Sequence, residues 1–369
     1  MTVVVTGGLG FIGAHTCVEL AREGIRLVIV DNLSNAKQSV LDRIRELAPG
    51  ASIDFVRADI RDAGALDRVF AAGDVRAVVH FAGLKAVGES VSRPLGYYDN
   101  NVCGTVTLLL AMARHGVDRL VFSSSATVYG EPERLPLGED HRLRATSPYG
   151  RTKHMIEQIV ADHAAARASF LYATLRYFNP IGAHVSGRIG EDPRGVPNNL
   201  FPYVTQVAVG RLPKLRVFGG DYSTRDGTGV RDYIHVVDLA TGHLAALRYL
   251  HGKRRSITVN LGTGRGYSVL EVVRAFEKVT GRTVPYEIVA RRAGDSAESY
   301  ADNSLAATAL GWKAKFGIDE MCRDAWRWQA ENPTGYPDYC SASVPLTELP
   351  ALHTAARKSA AAPVSTDLL

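Results

Sequence analysis

The sequence predicts an α/β protein with a doubly wound parallel sheet, followed by a smaller and irregular α/β domain. From residue 2 to about 180, short β-branched runs alternate with segments of helical periodicity. Such alternation implies right-handed crossovers and a parallel sheet with helices on both faces. A glycine-rich turn follows the first run and opens the first helix. After Asn179-Pro180 the alternation gives way to turn-rich sequence, which indicates a second domain.

Residues 1–180 therefore form the first predicted domain. Its strands are short runs rich in β-branched residues, at 3–5, 27–30, 53–56, 77–81, 120–123 and 172–177. Its helices are the amphipathic segments between them, at 11–23, 62–72, 101–115 and 149–165. A further helix at 236–250 and strand at 257–261 predict that residues 232–262 return to this sheet.

Residues 181–340 form the second predicted domain, with helices at 268–280 and 318–332. Residues 341–369 are rich in Ala, Ser, Thr and Pro without any period, so we expect a disordered tail there. No internal repeat is visible. A chain of 369 residues can bury a full core in either domain without disulfides or metals.

Composition excludes several classes of protein. With 46% hydrophobic and 22% charged residues the chain is typical of globular domains, and no apolar stretch approaches the ~20 residues that span a bilayer. The net charge of +5 comes from interspersed residues, with no basic run longer than 253–255, so we expect no nucleic-acid partner. A mildly basic cleft for a small anionic ligand fits this charge better.

The four cysteines, Cys17, Cys103, Cys322 and Cys340, are scattered without a C-x-x-C pair or a Cys/His cluster. This spacing predicts neither a disulfide framework nor a metal site. Met1 runs almost directly into the first strand, which leaves no room for a signal peptide. We therefore expect a cytoplasmic protein without a membrane partner.

The turn after the first strand has the spacing of a dinucleotide-binding loop. Gly7 can supply the tight turn, Gly10 the close approach to a pyrophosphate and Gly13 the close packing of helix on strand. Phosphates would lie on the exposed N–H groups at the helix N-terminus. Glycine turns after strands often serve only as connections, but the second predicted strand is followed by Asp31, 18 residues after Gly13. A carboxylate there accepts hydrogen bonds from a ribose and repels a 2′-phosphate, which favours NAD over NADP.

Two further strand ends lie where such sheets bind ligands. Asp59 and Ile60 follow the third strand and can contact adenine, although Asp59 also fits a plain surface turn. The small residues after the fourth strand let the backbone pass under a cofactor. Lys85, which follows them, can reach a pyrophosphate or remain a solvated loop lysine.

The segment 147–153 carries the candidate catalytic residues. Ser147 suits an N-cap and Pro148 the first helical position, so Tyr149 and Lys153 share one helix face at i, i+4. A tyrosine with its ordinary pKa of ~10 is a poor base at neutral pH, and a nearby ammonium together with a positive nicotinamide favours the phenolate. A Y-x-x-x-K match is common by chance. Here the run 123–125 ends a strand about 25 residues upstream, and Ser125 can orient a substrate hydroxyl.

These features resemble the extended short-chain dehydrogenase/reductase superfamily and, within it, the UDP-glucose 4-epimerase family. The resemblance covers roughly residues 2 to 338. It is carried by blocks beyond the motifs above, at 80–90, 97–101, 122–130, 176–180, 197–200, 226–235 and 260–262. Phe11 stands where a Tyr is common in the family, which removes only a hydroxyl.

The resemblance implies a set of binding residues, named here by position in this sequence. NAD would touch Gly7, Gly10, Phe11, Ile12, Gly13, Asp31, Asn32, Leu33, Ser34, Asn35, Ala36, Asp59, Ile60, Phe81, Ala82, Gly83, Leu84, Lys85, Asn100, Tyr149, Lys153 and Phe178. The UDP-hexose would be held by Ser125, Tyr149, Asn179, Asn199, Leu200, Arg216, Val217, Phe218, Arg231, Arg292 and Asp295. Two arginines of the second set, Arg231 and Arg292, can fork onto the two phosphate charges of UDP.

The implied reaction is inversion of C4 of a UDP-hexose through a 4-keto sugar, with NAD held and regenerated. Two other functions use the same fold. A nucleotide-sugar 4,6-dehydratase needs an added acid/base pair just after the serine strand, where this chain has Ala126 and Thr127. A non-catalytic NAD-sensing protein need not keep Tyr149, Lys153 and Ser125 together.

Two finer expectations follow from the resemblance. Ser299 matches a position that is a bulky Tyr in some members and small in others, so the space beside C2 of the sugar should admit an N-acetyl group. The adjacent Tyr300 could instead swing inward and fill that space. The family also implies a homodimer through the helices at 101–115 and 149–165, and the run 108–112 has more apolar residues than one core contact needs.

Overall fold

Seven parallel strands form the central sheet of the computed structural model, which describes residues 1–292 and 294–338. In chain order they are β1 Thr2–Thr6, β2 Arg26–Asp31, β3 Ile53–Arg57, β4 Val75–His80, β5 Arg119–Ser125, β6 Leu171–Tyr177 and β10 Ile257–Leu261. Their order in the sheet is β3-β2-β1-β4-β5-β6-β10, and every neighbouring pair is parallel. The doubly wound α/β fold is confirmed.

Helices cover both faces of this sheet. They are α1 Phe11–Arg22, α2 Ser39–Leu47, α3 Ala63–Ala71, α6 Gly104–Arg114, α7 Pro148–Ala166 and α9 Val236–Gly252. Short helices α4 Val87–Ser92 and α5 Pro94–Tyr97 lead into a π-helical segment, Tyr98–Cys103, which continues as α6. The predicted helix at 101–115 thus begins as a π-helix rather than as an α-helix.

Successive side chains of a strand point to opposite faces of the sheet, so the central sheet has a separate core on each face. Val3 and Val5 of β1 are fully buried with Leu20 of α1 and Leu247 of α9. Val4 points to the opposite face, in a core that it shares with Met112 of α6. Because both faces are covered, the strands read as continuous β-branched runs, as expected for a parallel sheet.

The remaining strands form two small sheets. In the first, β9 Val230–His235 lies between β11 Gly266–Ser268 and β13 Glu298–Ser299, and β7 Asn179–Ile181 also pairs with β9. In the second, β8 Leu215–Phe218 pairs with β12 Tyr286–Val289. Helices α8 Leu200–Ala208, α10 Val269–Thr280, α11 Ser304–Leu310 and α12 Ile318–Glu331 accompany them.

These elements have a core of their own, in which Phe201 of α8, Phe276 of α10 and Met321 of α12 are buried together. The chain enters this part through β7, passes from β9 through α9 to β10 of the central sheet, and returns at β11. Residues Met1–Asp338 pack as one compact unit.

Some elements of the chain agree with the predictions from the sequence, and others were not predicted. The turn-rich stretch after β7 has no helix or strand before α8, as its composition predicts. The elements that were not predicted are the helices α2, α4, α5, α8 and α11 and the strands β7, β8, β9, β11, β12 and β13. The tail predicted at 341–369, and Cys340, lie outside the described residues. Over 1–292 and 294–338, no helix is long and apolar enough to cross a membrane.

Candidate active site

The glycine turn lies at the carboxyl end of β1. Gly7 adopts a φ of +68°, and a Cβ on it would lie 2.6 Å from the Ala82 nitrogen. A Cβ on Gly13 would lie 2.3 Å from the Gly7 carbonyl oxygen, so helix α1 packs on the turn at a distance that only glycine permits. Gly10 meets only the Gly7 oxygen, at 3.3 Å, which leaves its other side open to a ligand.

Asp31 ends β2 and organises the loops around the turn. Its two carboxylate oxygens accept hydrogen bonds from the backbone N–H groups of Leu9, at 3.1 Å, and Leu33, at 2.9 Å. Leu33 has a φ of +61°, unusual for a branched residue, and this bond holds it there. Burial raises the pKa of Asp31, and the two N–H groups oppose that shift. Each oxygen keeps a lone pair with which to accept a ribose hydroxyl.

The loops after β2 and β3 are joined by side chains. Asn32 donates to Asp59 at 2.9 Å, and the hydrogen-bonded Arg61 guanidinium holds the pKa of Asp59 far below its usual range. The Ile60 side chain is buried against Gly104 at the start of α6, so only its backbone faces the loop. The hydrogen bond between Asn32 and Asp59 therefore holds the loops after β2 and β3 side by side.

The segment after β4 lies between the glycine turn and α7. The amide of Asn101, in the π-helical segment, bonds both the N–H and the carbonyl of Leu84, at 2.8 and 3.0 Å. A Cβ on Gly83 would lie 3.8 Å from Lys153 Nζ, so the small residue lets the backbone pass beside that ammonium. Lys85 reaches outward and donates to Glu191 at 3.1 Å.

Helix α7 positions the candidate base. Its first turn is capped by the Ser147 hydroxyl, which accepts the Gly150 N–H at 3.2 Å, and Pro148 occupies the first helical position as predicted. Lys153 donates to the Ser123 carbonyl of β5 at 2.7 Å, and its Nζ lies 6.0 Å from the centroid of the Tyr149 ring. Helix and strand thus bring Tyr149, Lys153 and the end of β5 together.

Ser125 completes this group. Its oxygen accepts from the Thr127 N–H at 3.2 Å and from the Thr127 hydroxyl at 3.0 Å, which leaves its own proton to donate. Burial raises the pKa of Tyr149 to about 12, and the Ser125 hydroxyl opposes this shift by hydrogen bonding. Burial lowers the pKa of Lys153 to about 8, against the attraction of Glu157. The protein's own groups therefore favour a neutral phenol.

Sequence reasoning missed the polar network behind these residues. Glu157 accepts from the Ser124 hydroxyl at 2.5 Å and from Arg176 at 2.7 Å, and both charged groups are buried. Arg176 also donates to the Tyr129 hydroxyl, which donates to Asn260 at 2.6 Å. Glu157 follows Lys153 by one helical turn, so the spacing 149, 153, 157 was a signal that could have found it.

The expected uridine-sugar residues lie on the second group of elements. Asn179 begins β7 and is exposed, Phe178 before it is buried, and Leu200 begins α8 just after Asn199. The Asn199 amide donates to Glu191 at 2.8 Å. Asn100, which is expected at the cofactor, donates to its neighbour Asn101 at 2.9 Å.

An arginine-lined aromatic surface lies at β8. The guanidinium groups of Arg216 and Arg292 lie 5.5 and 5.6 Å from the centroid of the Phe218 ring. Val217, which stands between Arg216 and Phe218 in β8, is buried in the core. Arg292 forms a two-bond pair with Asp295, at 3.0 and 3.1 Å. The structure thus places Phe218, Arg292 and Asp295, three of the residues expected at the UDP-hexose, next to one another.

Arg231 and Ser299 are neighbours across strands β9 and β13, where they are paired in register. The Tyr300 ring lies on the other side, 3.3 Å from a Cβ built on Gly266 of β11. Packing thus holds Tyr300 against β11. In residues 1–292 and 294–338 no cluster of three or more His, Cys, Asp or Glu side chains is arranged to hold a metal ion.

Replacing Gly13 by Ala tests the dinucleotide cradle. The new Cβ would overlap the Gly7 carbonyl, so the turn must open and its N–H groups must move from the pyrophosphate position. We expect purified G13A to carry ~10-fold less NAD than the unsubstituted protein, because the loop geometry sets the phosphate contacts. NAD released by acid is measured per chain. Gly73→Ala is the control for handling, because Gly73 is exposed, lies outside the left-handed backbone region and has no atoms near an added Cβ. An unchanged NAD content in G13A would reject the cradle.

The chain is similar to known proteins over most of its length. A family model described as "GDP-mannose 4,6 dehydratase" matches residues 4–325. A UDP-glucose 4-epimerase of Bacillus subtilis is 58% identical over 336 residues, which is 91% of this chain and 99% of the relative.

Two solved structures extend the comparison. A UDP-glucose 4-epimerase of Stenotrophomonas maltophila with bound NAD and formylated UDP-arabinopyranose has a TM-score of 0.88 and 54% identity, covering 90% of this chain and 99% of that one. The enzyme of Bifidobacterium longum in complex with NAD⁺ and UDP has a TM-score of 0.88 and 50% identity, covering 91% and 100%. The chain therefore belongs to the UDP-glucose 4-epimerase family.

Proposed function

We propose that this protein interconverts UDP-glucose and UDP-galactose by inverting C4 of the hexose, with NAD retained through each turnover. The observation that carries the proposal is the convergence of Tyr149, Lys153 and Ser125 beside the glycine turn. Membership of the epimerase family supports the same reaction. When bound, NAD reversibly accepts and returns the hydride of C4, which passes the sugar through its 4-keto form.

The chain offers a matching place for NAD. The glycine turn leaves room that a Cβ would fill, and Asp31 keeps acceptor capacity for a ribose. Lys153 would hold the nicotinamide ribose, and Lys85 would supply positive charge to the pyrophosphate. We assign the loops 31–36, 59–60 and 81–85, together with Phe11, Ile12, Asn100 and Phe178, to its binding.

Tyr149 of α7 and Ser125 of β5 carry out the proton transfer. Tyr149 takes the proton of the 4-hydroxyl and later returns it, while Ser125 donates its free proton to align that hydroxyl. Because burial raises the pKa of Tyr149 to about 12, the phenol needs added positive charge to act as a base near neutral pH. A bound nicotinamide would add that charge to the Lys153 ammonium, whose Nζ already lies 6.0 Å from the centroid of the Tyr149 ring.

The UDP group is held from the second set of elements. Arg231 and Arg292 bear the charge and donors to bind its phosphates, and Phe218 offers an aromatic face between two guanidinium groups. Asn179, Asn199, Leu200, Arg216, Val217 and Asp295 complete the assignment. With UDP anchored, the hexose can turn over so that either face of C4 meets the cofactor.

A dehydratase or a binding protein would need a different site. Ala126 carries no proton donor, and the Thr127 hydroxyl is engaged with Ser125, so the acid/base pair for loss of water is missing. The test is a stopped assay with UDP-galactose and no added NAD, in which UDP-glucose is measured after the protein is removed. An epimerase gives UDP-glucose, a dehydratase gives a 4-keto-6-deoxy sugar, and a binding protein gives neither product.

We extend the proposal to the N-acetylated pair, UDP-GlcNAc and UDP-GalNAc. Ser299 lies beside Arg231, one of the residues assigned to UDP, and its side chain leaves roughly the volume of a phenol ring unfilled compared with a Tyr. The position of Tyr300 against Gly266 argues against its filling the same space.

The assembly and its compartment complete the proposal. Leu108, Leu109 and Met112 of α6 are buried in their own core, but Leu110 and, on α7, Met155 are 56% and 41% exposed, which supports a homodimer through these helices. Sedimentation should then give about twice 39.9 kDa, and a monomer at micromolar concentration would reject it.

A cytoplasmic location agrees with the thiols, since Cys17, Cys103 and Cys322 form no disulfide with one another. We assign residues 1–180 with 232–262 to NAD binding, because both stretches contribute strands to the central sheet. Residues 181–340 are assigned to the UDP-sugar. Hydrogen exchange tests the division, since UDP should protect mainly amides of 181–231 and 263–338.

A further inference from the structure

The loop segment 191–199 connects three parts of the site, and we refer to it as the strap. Glu191 accepts from Lys85 at 3.1 Å, and Asp192 pairs with Lys37 at 3.1 Å. Arg194 donates to the Leu33 and Ala36 carbonyls at 3.2 and 3.3 Å. The strap is therefore bonded to the loop after β2 and to the loop after β4.

The order of the strands shows what lies beneath it. Strand β1 lies between β2 and β4, and the glycine turn follows β1. A segment bonded to the loops after both outer strands passes over the end of the middle one. A dinucleotide on the glycine turn would then lie under the strap, and it could leave only when these bonds open.

One carboxylate oxygen joins the strap to the substrate side. Glu191 Oε1 accepts from Lys85 and also from the Asn199 amide, at 2.8 Å. The Glu191 side chain is only 9% exposed, and its backbone carbonyl accepts from the Trp328 indole at 3.3 Å. Asn199, assigned above to the UDP-sugar, is thus held by the residue that holds the cofactor loop.

We propose that Glu191 is a positioning residue that couples the two sites, so that a bound UDP group slows the release of NAD. The inference rests on the function proposed above. A ligand that contacts Asn199 opposes the movement of Asn199 and, through Glu191, the opening of the strap. Coupling between two sites is reciprocal in binding free energy, so whatever factor UDP adds to the equilibrium affinity for NAD, bound NAD adds to the affinity for UDP.

The experiment measures how fast radiolabelled NAD leaves the holoenzyme. Protein carrying radiolabelled NAD is mixed with excess unlabelled NAD, with and without saturating UDP, and retained label is measured over time. In the unsubstituted protein UDP should slow release by ~5-fold or more. In Glu191→Ala, release without UDP should be ~10-fold faster, and UDP should change it by less than ~2-fold.

Two further variants separate coupling from a general loss of structure. Glu191→Gln keeps an oxygen that can accept from Asn199, so it should restore the effect of UDP. Glu46→Gln removes an ion pair, 2.6 Å long, with Arg188 of the same loop and should behave like the unsubstituted protein. Release from Glu191→Ala at the unsubstituted rate, or failure of Glu191→Gln to restore the UDP effect, would overturn the proposal.

The same preparation keeps the two proposals distinguishable. An unsubstituted protein that fails to convert UDP-galactose contradicts the proposed function. One that converts UDP-galactose but releases NAD equally fast with and without UDP rejects only the coupling. UDP binding is measured on each variant by calorimetry, so that the saturating concentration is known.

Discussion

Replacing Tyr149 by Phe should lower kcat for UDP-galactose by ~10²–10⁴-fold, because the change removes the group that exchanges the proton of the 4-hydroxyl. The ring remains, so packing at the start of α7 is kept. Only the phenol oxygen and its hydrogen bond to Ser125 are lost. We therefore expect a stable protein that still carries NAD and still binds UDP.

The measurement is steady-state turnover with UDP-galactose, together with NAD content and UDP affinity of the same sample. Tyr172→Phe is a matched control, because this partly buried tyrosine lies near the amino end of β6, whereas the site lies at the carboxyl ends of the strands. Near-normal turnover in Tyr149→Phe would reject Tyr149 as the base. A variant that has lost NAD would instead show that the phenol is needed to hold the cofactor.

Replacing Ser299 by Tyr should lower the turnover of UDP-GalNAc ~100-fold or more and leave the turnover of UDP-galactose largely intact. A hydrophobic pocket discriminates by 10–200-fold for a single methylene, and an N-acetyl group competing with a phenol ring is a larger clash. The main-chain pairing of Ser299 with Arg231 does not depend on its side chain, so β13 should remain in place.

Rates with both sugar pairs, for the unsubstituted protein, Ser299→Tyr and Ser299→Ala, give the answer. Ser299→Ala keeps the space and should keep activity on both pairs. If the unsubstituted protein does not turn over UDP-GalNAc, the open space at Ser299 is not sufficient and the proposed sugar range is wrong. If Ser299→Tyr loses both activities equally, the residue supports the site as a whole rather than selecting the sugar.

The sequence by itself determined the features that depend on neighbouring residues. Strands of the central sheet are marked by short β-branched runs, and their alternation with helical periods implies the parallel sheet. The glycine spacing and the i, i+4 spacing of Tyr149 and Lys153 are likewise local. Each is readable because its geometry is set within a few residues of chain.

The tertiary structure decided which distant groups share a partner. Glu191 meets Lys85, 106 residues away, and Asn199 on one oxygen, and no periodicity links these positions. Arg176 finds Glu157 behind the catalytic residues only because β6 lies beside β5 under α7. The short strand β13 depends on pairing with β9 rather than on its own two residues. Local propensity is weak over such lengths, and ion pairs across loops form only after the sheet has brought the loops together.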